Sequence, residues 1–370
     1  MKAVNTVLGQ IDIKDLGIVL MHEHLQVDIS FMASAGNMNH KNFNVTQKAS
    51  KSVNGEYKTL LRDKVRMKYL GTLRRDPTRS KDNLVLENTQ HIVEELLRYH
   101  QLGGTSIVDV TNISMGRNIK SLKYISAKTG INVIASTGWY LEPTYPAYIQ
   151  QKTVQDLAEI MIHEINHGID NTDIKAGLIG ECGCSTPPYT ELEKKVILAA
   201  CIAQKETNVP ITIHPALIDL KKKEGFVKCG LEYIQLLKQE KVNLNKFYLS
   251  HADRTCFDLD YHKRLLDQGI YLSYDCFGKA DFFDNAFPGA GGISDYPRMK
   301  ALVELCELGY EKQLLISQDV CFKTSLRRFG GTGYSHFLEN IIPNLKTLGL
   351  KDSSIKNILI NNPQKLFRIR

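Results

Sequence analysis

The sequence lacks any long apolar run. No stretch approaches the roughly 18–20 apolar residues that span a bilayer. The segment from Met1 to Gly17 has neither a basic start followed by an apolar run nor a small-residue cleavage site. The eight cysteines show no regular spacing, which is typical of reduced residues rather than of a disulfide framework. These absences argue against a membrane partner, and we expect a cytoplasmic location.

Low-complexity linkers and internal repeats are also lacking, so we expect one domain over residues 1–370. Amphipathic helical patterns, as at 88–100, 191–205 and 231–239, separate most of a series of short apolar, β-rich runs. Such alternation indicates parallel strands buried on both faces. Eight units fit an α/β fold of the (β/α)8 TIM barrel type better than an open sheet. The runs are Ile18–Met21, Ser106–Val110, Asn132–Ala135, Ala176–Gly180, Pro210–Ile213, Lys246–Leu249, Ile270–Ser273 and Gln313–Ile316.

The chain is longer than the roughly 250 residues usual for such a barrel. The excess falls in two predicted insertions, residues 30–83 after strand 1 and residues 277–296 after strand 7. Most of the net charge of +7 lies between Lys48 and Lys81, where eleven Lys and Arg face three acids. Such a segment can bind an anionic ligand or nucleic acid. Because no nucleic-acid motif accompanies these cations, we expect a solvated excursion and no nucleic-acid partner.

Six potential metal ligands follow the predicted strands at their carboxyl ends. In His22-Glu23-His24 after strand 1, the period of two directs both imidazoles into the barrel mouth and sends Glu23 away. Barrel active sites form at this end of the strands, so one cavity can collect all six side chains. Four imidazoles and two carboxylates suit two borderline divalent ions, zinc first, with manganese or cobalt as alternatives. The six are His22, His24, Glu181, His214, His251 and Asp319.

Two other groups resemble metal sites but are given other roles. His163 to His167 spells H-E-x-x-H, the signature of a zinc-protease helix. Both histidines lie about 200° from the apolar stripe of that helix, so we expect them to face solvent. Cys182 and Cys184 alternate with Glu181 along strand 4, so they are predicted to pack outside the barrel mouth.

Several further motifs accompany these ligands. They are Val7-Leu8-Gly9, Leu16-Gly17, Met21-His22-Glu23-His24-Leu25, Ser136-Thr137-Gly138-Trp139-Tyr140, Ser250-His251-Ala252-Asp253 and Asn362-Pro363-Gln364-Lys365-Leu366-Phe367. Together they resemble the phosphotriesterase family of the amidohydrolase superfamily over nearly the whole chain. The resemblance implies that His22, His24 and Asp319 hold one metal, and that His214 and His251 hold the other.

The bridging ligand departs from the better-known members of that family. Those members use a carboxylated lysine at the position that reads Gly180 here, whereas this chain has Glu181 one residue later, as in the glutamate-bridged branch. The resemblance then implies that Glu181 bridges two ions, which would share an attacking hydroxide. Asp319 would take and relay the proton. Tyr140 matches a tyrosine on the leaving-group side of the family's lactonases, with simple wall packing as the alternative.

Cations on the loops after strands 6, 7 and 8 predict an anionic substrate. They are Arg254, Lys279, Lys323 and Arg327. Together with the resemblance to phosphofuranose lactonases, they favour a metal-dependent hydrolase that opens a phosphorylated sugar γ-lactone. One alternative is a neutral-substrate lactonase or esterase with incidental phosphotriesterase activity. Another, of a different class, is an anionic-ligand or nucleic-acid binding protein with a vestigial metal site. Family members are often dimers, so a homodimer remains open.

Overall fold

Eight parallel strands form one sheet whose spatial order follows the chain. The computed structural model describes residues 3–33, 60–217, 226–282 and 292–368. The first and last strands meet at their carboxyl ends, where the amide of His22 donates to Ser317 Oγ at 2.9 Å. The sheet is thereby nearly closed, and the predicted (β/α)8 barrel is confirmed. The strands are β1 (Ile18–Glu23), β2 (Gly104–Asp109), β3 (Asn132–Thr137), β4 (Leu178–Gly183), β5 (Ile211–His214), β6 (Phe247–Leu249), β7 (Tyr271–Tyr274) and β8 (Leu314–Ile316).

A helix follows each strand and packs its apolar stripe on the outside of the sheet. Local sequence sets where the best defined of these helices begin. Thr153 and Asp156 form a capping box at the start of the third helix, and Thr190 and Glu193 do the same at the fourth. The helices are α1 (Thr89–Gln101), α2 (Ile119–Thr129), α3 (Val154–Asn166), α4 (Glu191–Thr207), α5 (Gly230–Gln239), α6 (Leu259–Leu266), α7 (Asp295–Glu307) and α8 (Ile342–Thr347). No helix among these described residues has the length and apolar content to cross a bilayer.

Apolar side chains fill the amino-terminal half of the barrel interior. Val19, Met21, Tyr248 and Leu315 belong to one buried cluster, which Phe367 of the C-terminal helix completes. A hairpin of Ala3–Thr6 and Gly9–Asp12 adjoins this end, and the last short helix is Asn362–Phe367. With this half occupied, polar side chains can collect only at the carboxyl ends of the strands.

The insertion after β1 leaves and rejoins the barrel through one short antiparallel pair, Val27–Asp28 with Val85–Leu86. The described part of the insertion contains the helix Leu70–Arg75. Its Asp82 accepts hydrogen bonds from Lys64 at 2.9 Å and from Lys323, which follows β8, at 2.7 Å. Residues 34–59 of this predicted insertion and 283–291 of the second one lie outside the described residues. The short elements not yet named are Tyr148–Gln151, Phe337–Ile341, Asp352–Lys356 and Asn357–Asn361.

Strict alternation along β1 does not explain where its histidines point. Val19 and Met21 face the interior, so an uninterrupted strand would place Glu23 there next. The pairing with β2 shifts register between Leu20 and Glu23, and this irregularity changes the phase. His22 and His24 therefore reach the barrel mouth through a register shift.

Candidate metal centre

The structure brings the six predicted ligands together at the carboxyl ends of five strands. All are buried except His214, whose side chain is 13% exposed. His251 and Asp319 have φ angles of 55° and 50°, a left-handed conformation uncommon outside glycine. Such backbone is found where surrounding contacts hold a functional side chain in place.

Glu181 lies at the centre of the cluster. Its Oε2 is 3.1 Å from His214 Nδ1, 3.4 Å from His22 Nε2 and 3.8 Å from His251 Nε2. Its Oε1 is 3.6 Å from His24 Nε2. One carboxylate thus faces histidines from both predicted metal positions, which is the arrangement that a bridging ligand requires.

Asp319 completes the half of the cluster formed by β1. Its Oδ1 is 3.3 Å from His24 Nε2 and 3.8 Å from His22 Nε2, and its Oδ2 forms an ion pair with Lys279. The ligand atoms of His22, His24 and Asp319 all lie within 4.8 Å of one another, as do those of His22, Glu181 and His251. His22 Nε2 is buried and has no hydrogen-bond partner among the described residues. An unpartnered nitrogen beside two carboxylates fits a metal ligand.

Outer hydrogen bonds orient two of the histidines. Nδ1 of His251 is 2.7 Å from Asp275 Oδ1, and Nδ1 of His24 is 2.8 Å from Thr111 Oγ1. Metal-binding histidines usually donate their second ring nitrogen to such partners. These contacts leave Nε2 of both rings directed at the cluster.

His214 has the opposite orientation. Its Nδ1 faces Glu181 and lies 2.8 Å from His251 Nε2, whereas its Nε2 is 3.4 Å from the hydroxyl of Tyr140. Tyr140 therefore contacts a candidate ligand directly and lines the mouth beside it.

The electrostatics keep Glu181, Asp319 and His22 in the forms that bind metals. Burial disfavours a charge on Glu181, but the neighbouring imidazoles, His22 first, outweigh it and lower the pKa of this carboxyl to about 2. Burial lowers the pKa of His22 to about 4. Burial also opposes ionisation of Asp319, yet Lys279 and His24 hold its pKa well below the usual range. Ionised carboxylates and a neutral imidazole are the ligand states that divalent ions require.

The predicted substrate-binding cations separate into two groups. Lys279 contacts Asp319 and lies 3.1 Å from Cys321 Sγ, and Arg254 is buried on the turn after His251. Both therefore adjoin the cluster.

Lys323 and Arg327 lie among other partners. Lys323 is paired with Asp82 of the first insertion. Arg327 is partly exposed and pairs with Glu339 at 3.2 Å. The structure thus pairs these two cations with carboxylates outside the ligand cluster.

The sequence analysis assigned no role in the site to two carboxylates that lie near the cluster. Glu23 is fully buried and accepts hydrogen bonds from Ser317 Oγ and the amide of Gln318, both at 2.7 Å. It therefore braces the loop after β8. Asp275 orients His251, and its position directly after β7 was the signal that could have revealed it.

The H-E-x-x-H group lies away from the barrel mouth. His163 on α3 and His167, which directly follows that helix, are exposed, as predicted. Glu164 is engaged by Arg117 through two hydrogen bonds of 2.8 Å. An acid held in this ion pair cannot act as the general base of a zinc-protease site.

A nearly closed β/α barrel with histidines and carboxylates gathered at its carboxyl end defines the class of metal-dependent barrel hydrolases. The chain belongs to the phosphotriesterase family, whose family model matches residues 2–367. A curated relative, N-acetyltaurine hydrolase of Salmo salar, is 34% identical over 366 residues, which cover 98% of this chain and 97% of the relative.

Two solved structures share the fold over nearly their full lengths. A resiniferatoxin-binding protein from Rhodobacter sphaeroides has a TM-score of 0.88 and 30% identity, covering 99% of this chain and 95% of the other. The phosphotriesterase homology protein of Escherichia coli, with phosphate in its active site, has a TM-score of 0.71 and 27% identity, covering 95% and 99%.

Proposed function

We propose that the chain is a hydrolase whose binuclear divalent-metal centre acts on a small acyl substrate that carries an anionic group. His22, His24 and Asp319 would hold one ion, His214 and His251 the other, with Glu181 between them. The unpartnered Nε2 of His22 and the mixed nitrogen and oxygen donors support zinc, and manganese or cobalt would also fit.

The buried side chain of Arg254 is the observation that supports an anionic substrate. Its side chain is only 7% exposed, and its Nε is buried without a hydrogen-bond partner among the described residues. The guanidinium lies 5.8 Å from the centroid of the Phe226 ring. A buried guanidinium with an unsatisfied N–H is costly, so an entering oxyanion would be stabilised there. Lys279, Lys323 and Arg327 are already paired with carboxylates and do not carry this argument.

An N-acyl aminosulfonate such as N-acetyltaurine is the first candidate substrate. The curated relatives are named for that compound, which joins a hydrolysable amide to a sulfonate. A sulfonate carries one negative charge on three oxygens, and a single guanidinium can pair with it through two hydrogen bonds. This proposal keeps the predicted anion and replaces the lactone ester by an amide.

A phosphorylated γ-lactone is the second candidate. It is supported by the phosphate in the active site of the Escherichia coli protein, which is 27% identical to this chain. Phosphate and sulfonate are both tetrahedral oxyanions, so Arg254 suits either group.

The residues around the cluster have distinct tasks in this scheme. When bound, two divalent ions would supply Lewis acidity toward the scissile carbonyl and a lowered pKa for water. Asp319, kept ionised by Lys279 and His24, would accept the proton of the nucleophile and deliver it to the leaving group. Tyr140 would line the leaving-group side beside His214. Arg254 would hold the distant anion and so fix the carbonyl in place.

The test compares two matched pairs of substrates on the zinc-loaded protein. Acetate release is measured from N-acetyltaurine and from its uncharged sulfonamide analogue, and acid release from a furanose γ-lactone with and without its 5-phosphate. We expect a preference of at least about 100-fold in kcat/KM for the sulfonate over the sulfonamide. A larger kcat/KM for the phosphorylated lactone would favour the second candidate. Equal rates within each pair would remove the anion from the proposal, and no hydrolysis of any compound would contradict it.

A further inference from the structure

A chain of hydroxyl groups lies behind His22, on the side away from the ligand cluster. His22 Nδ1 is 3.1 Å from Ser250 Oγ, which is 2.8 Å from Thr212 Oγ1. Thr212 Oγ1 in turn donates to the carbonyl oxygen of Tyr248 at 3.0 Å. All four residues are fully buried, so water does not compete for these contacts.

The far end of this chain fixes the direction of every proton in it. A carbonyl oxygen can only accept, so the single hydroxyl proton of Thr212 is donated to Tyr248. Thr212 Oγ1 must then accept the hydroxyl proton of Ser250, and Ser250 Oγ is left to accept from His22. His22 therefore carries its proton on Nδ1, and its Nε2 presents a lone pair.

That lone pair belongs to the nitrogen that faces the cluster. Nε2 of His22 lies 3.4 Å from Glu181 and 3.8 Å from Asp319. Asp275 Oδ2 is 3.5 Å from Nδ1 and favours the same tautomer, but Asp275 already receives the closer Nδ1 of His251. The hydroxyl chain is the closer influence on His22.

We propose that Thr212 and Ser250 are positioning residues that hold His22 as the Nδ1-protonated tautomer, ready to bind a divalent ion through Nε2. The inference rests on the proposed binuclear centre. Thr212 lies two residues before His214 on β5, and Ser250 directly precedes His251. The strands that carry the ligands of one ion therefore also orient a ligand of the other.

The experiment measures zinc binding by the full chain in competition with a chromophoric chelator, with kcat/KM as a second readout. Ser250→Ala removes the acceptor for His22, and we expect one of two zinc ions to bind about 10- to 100-fold more weakly. Thr212→Val should weaken the binding of the same ion, because the Ser250 hydroxyl can then donate its proton to His22 Nδ1 instead of accepting from it. Thr212→Ser keeps the hydroxyl and should restore binding to the wild-type level.

Two buried hydroxyls without partners provide matched controls. Ser273 Oγ and Thr137 Oγ1 have no hydrogen-bond partner among the described residues. Ser273→Ala and Thr137→Val should therefore leave both zinc affinities unchanged. Equal weakening in the controls, or a failure of Thr212→Ser to restore binding, would show a packing effect and overturn the inference. The ¹⁵N shifts of His22 in metal-free, histidine-labelled protein give an independent reading, since an Nε2-protonated ring would also overturn it.

The outcomes separate this inference from the proposed function. If the wild-type chain binds two zinc ions and Ser250→Ala binds both equally well, the hydroxyl chain is wrong and the binuclear centre stands. If the wild-type chain does not bind two ions, the proposed centre itself fails.

Discussion

Glu23 holds the backbone on both sides of Asp319. Its carboxylate accepts hydrogen bonds from the amide of Gln318 at 2.7 Å and from the amide of Val320 at 2.9 Å. Asp319 lies between them with a φ of 50°, a conformation that costs a non-glycine residue about 1–3 kcal/mol. These hydrogen bonds offset that cost and direct the Asp319 carboxylate toward His24.

The first prediction is that Glu23→Gln lowers both kcat and the free energy of unfolding. The amide group of glutamine can accept from one of the two loop amides but not from both, so the loop around Asp319 loosens. We expect kcat to fall about 10- to 100-fold, with a loss of about 1–3 kcal/mol in unfolding free energy. Steady-state kinetics and denaturant unfolding of the zinc-loaded protein measure the two effects.

Glu193→Gln is the matched control for that variant. Glu193 is also buried and accepts backbone hydrogen bonds from Ser185 and Thr190, both at 2.9 Å, at the start of α4. Its substitution should cost stability by a similar amount and leave kcat/KM unchanged. If both variants lose activity equally, Glu23 has no specific relationship to Asp319.

The sequence was sufficient to predict the barrel and the gathering of the candidate ligands. Buried parallel strands produce continuous apolar runs, and each run ends where polar residues begin. His214 and Glu181 could therefore be placed at the same end of the barrel without coordinates.

Loop residues were predicted less well, because their orientation depends on contacts between distant segments. Lys323 follows β8 but pairs with Asp82, more than 200 residues earlier in the chain. The role of Glu23 was missed because its partners, Ser317, Gln318 and Val320, lie more than 290 residues later in the chain. A pattern of apolar residues records the faces of regular strands, whereas these side chains are placed by irregular backbone.

The second prediction is that Arg254→Gln weakens the binding of anionic substrates selectively. Loss of a charge-assisted hydrogen bond costs about 1.5–3 kcal/mol, so KM for the preferred anion should rise about 10- to 100-fold. The uncharged analogue should be hydrolysed as before, and kcat should change far less than KM. Arg327→Gln removes a cation that is paired with Glu339, and both substrates should keep their wild-type constants. Parallel losses for charged and uncharged substrates would exclude Arg254 as the anion contact.

The third prediction concerns which histidines bind metal. His22→Asn should reduce the zinc content from two ions per chain to fewer than about 1.5 after dialysis, and should abolish nearly all turnover. His163→Asn changes an exposed histidine whose neighbour Glu164 is held by Arg117, so metal content and activity should stay at the wild-type values. Elemental analysis of both proteins provides the comparison. A loss of zinc from the His163 variant would assign a metal to α3 instead.

The last prediction is a pH-dependent stability difference at His262. Burial lowers the pKa of this imidazole to about 4, and its ring is 2.7 Å from the Tyr274 hydroxyl and 2.9 Å from Thr255 Oγ1. The unfolded chain binds the proton near the ordinary value of about 6.5. Stability from the neutral ring is therefore fully present above pH 6.5 and is lost as pH falls toward 4, by about 3 kcal/mol at most. His262→Gln lacks this titration, so its deficit in thermal midpoint at pH 7.5 should shrink by pH 4.5. Any release of metal by acid affects both proteins equally. A difference in thermal midpoint that stays constant between pH 7.5 and pH 4.5 would therefore show that His262 does not titrate as a buried neutral ring.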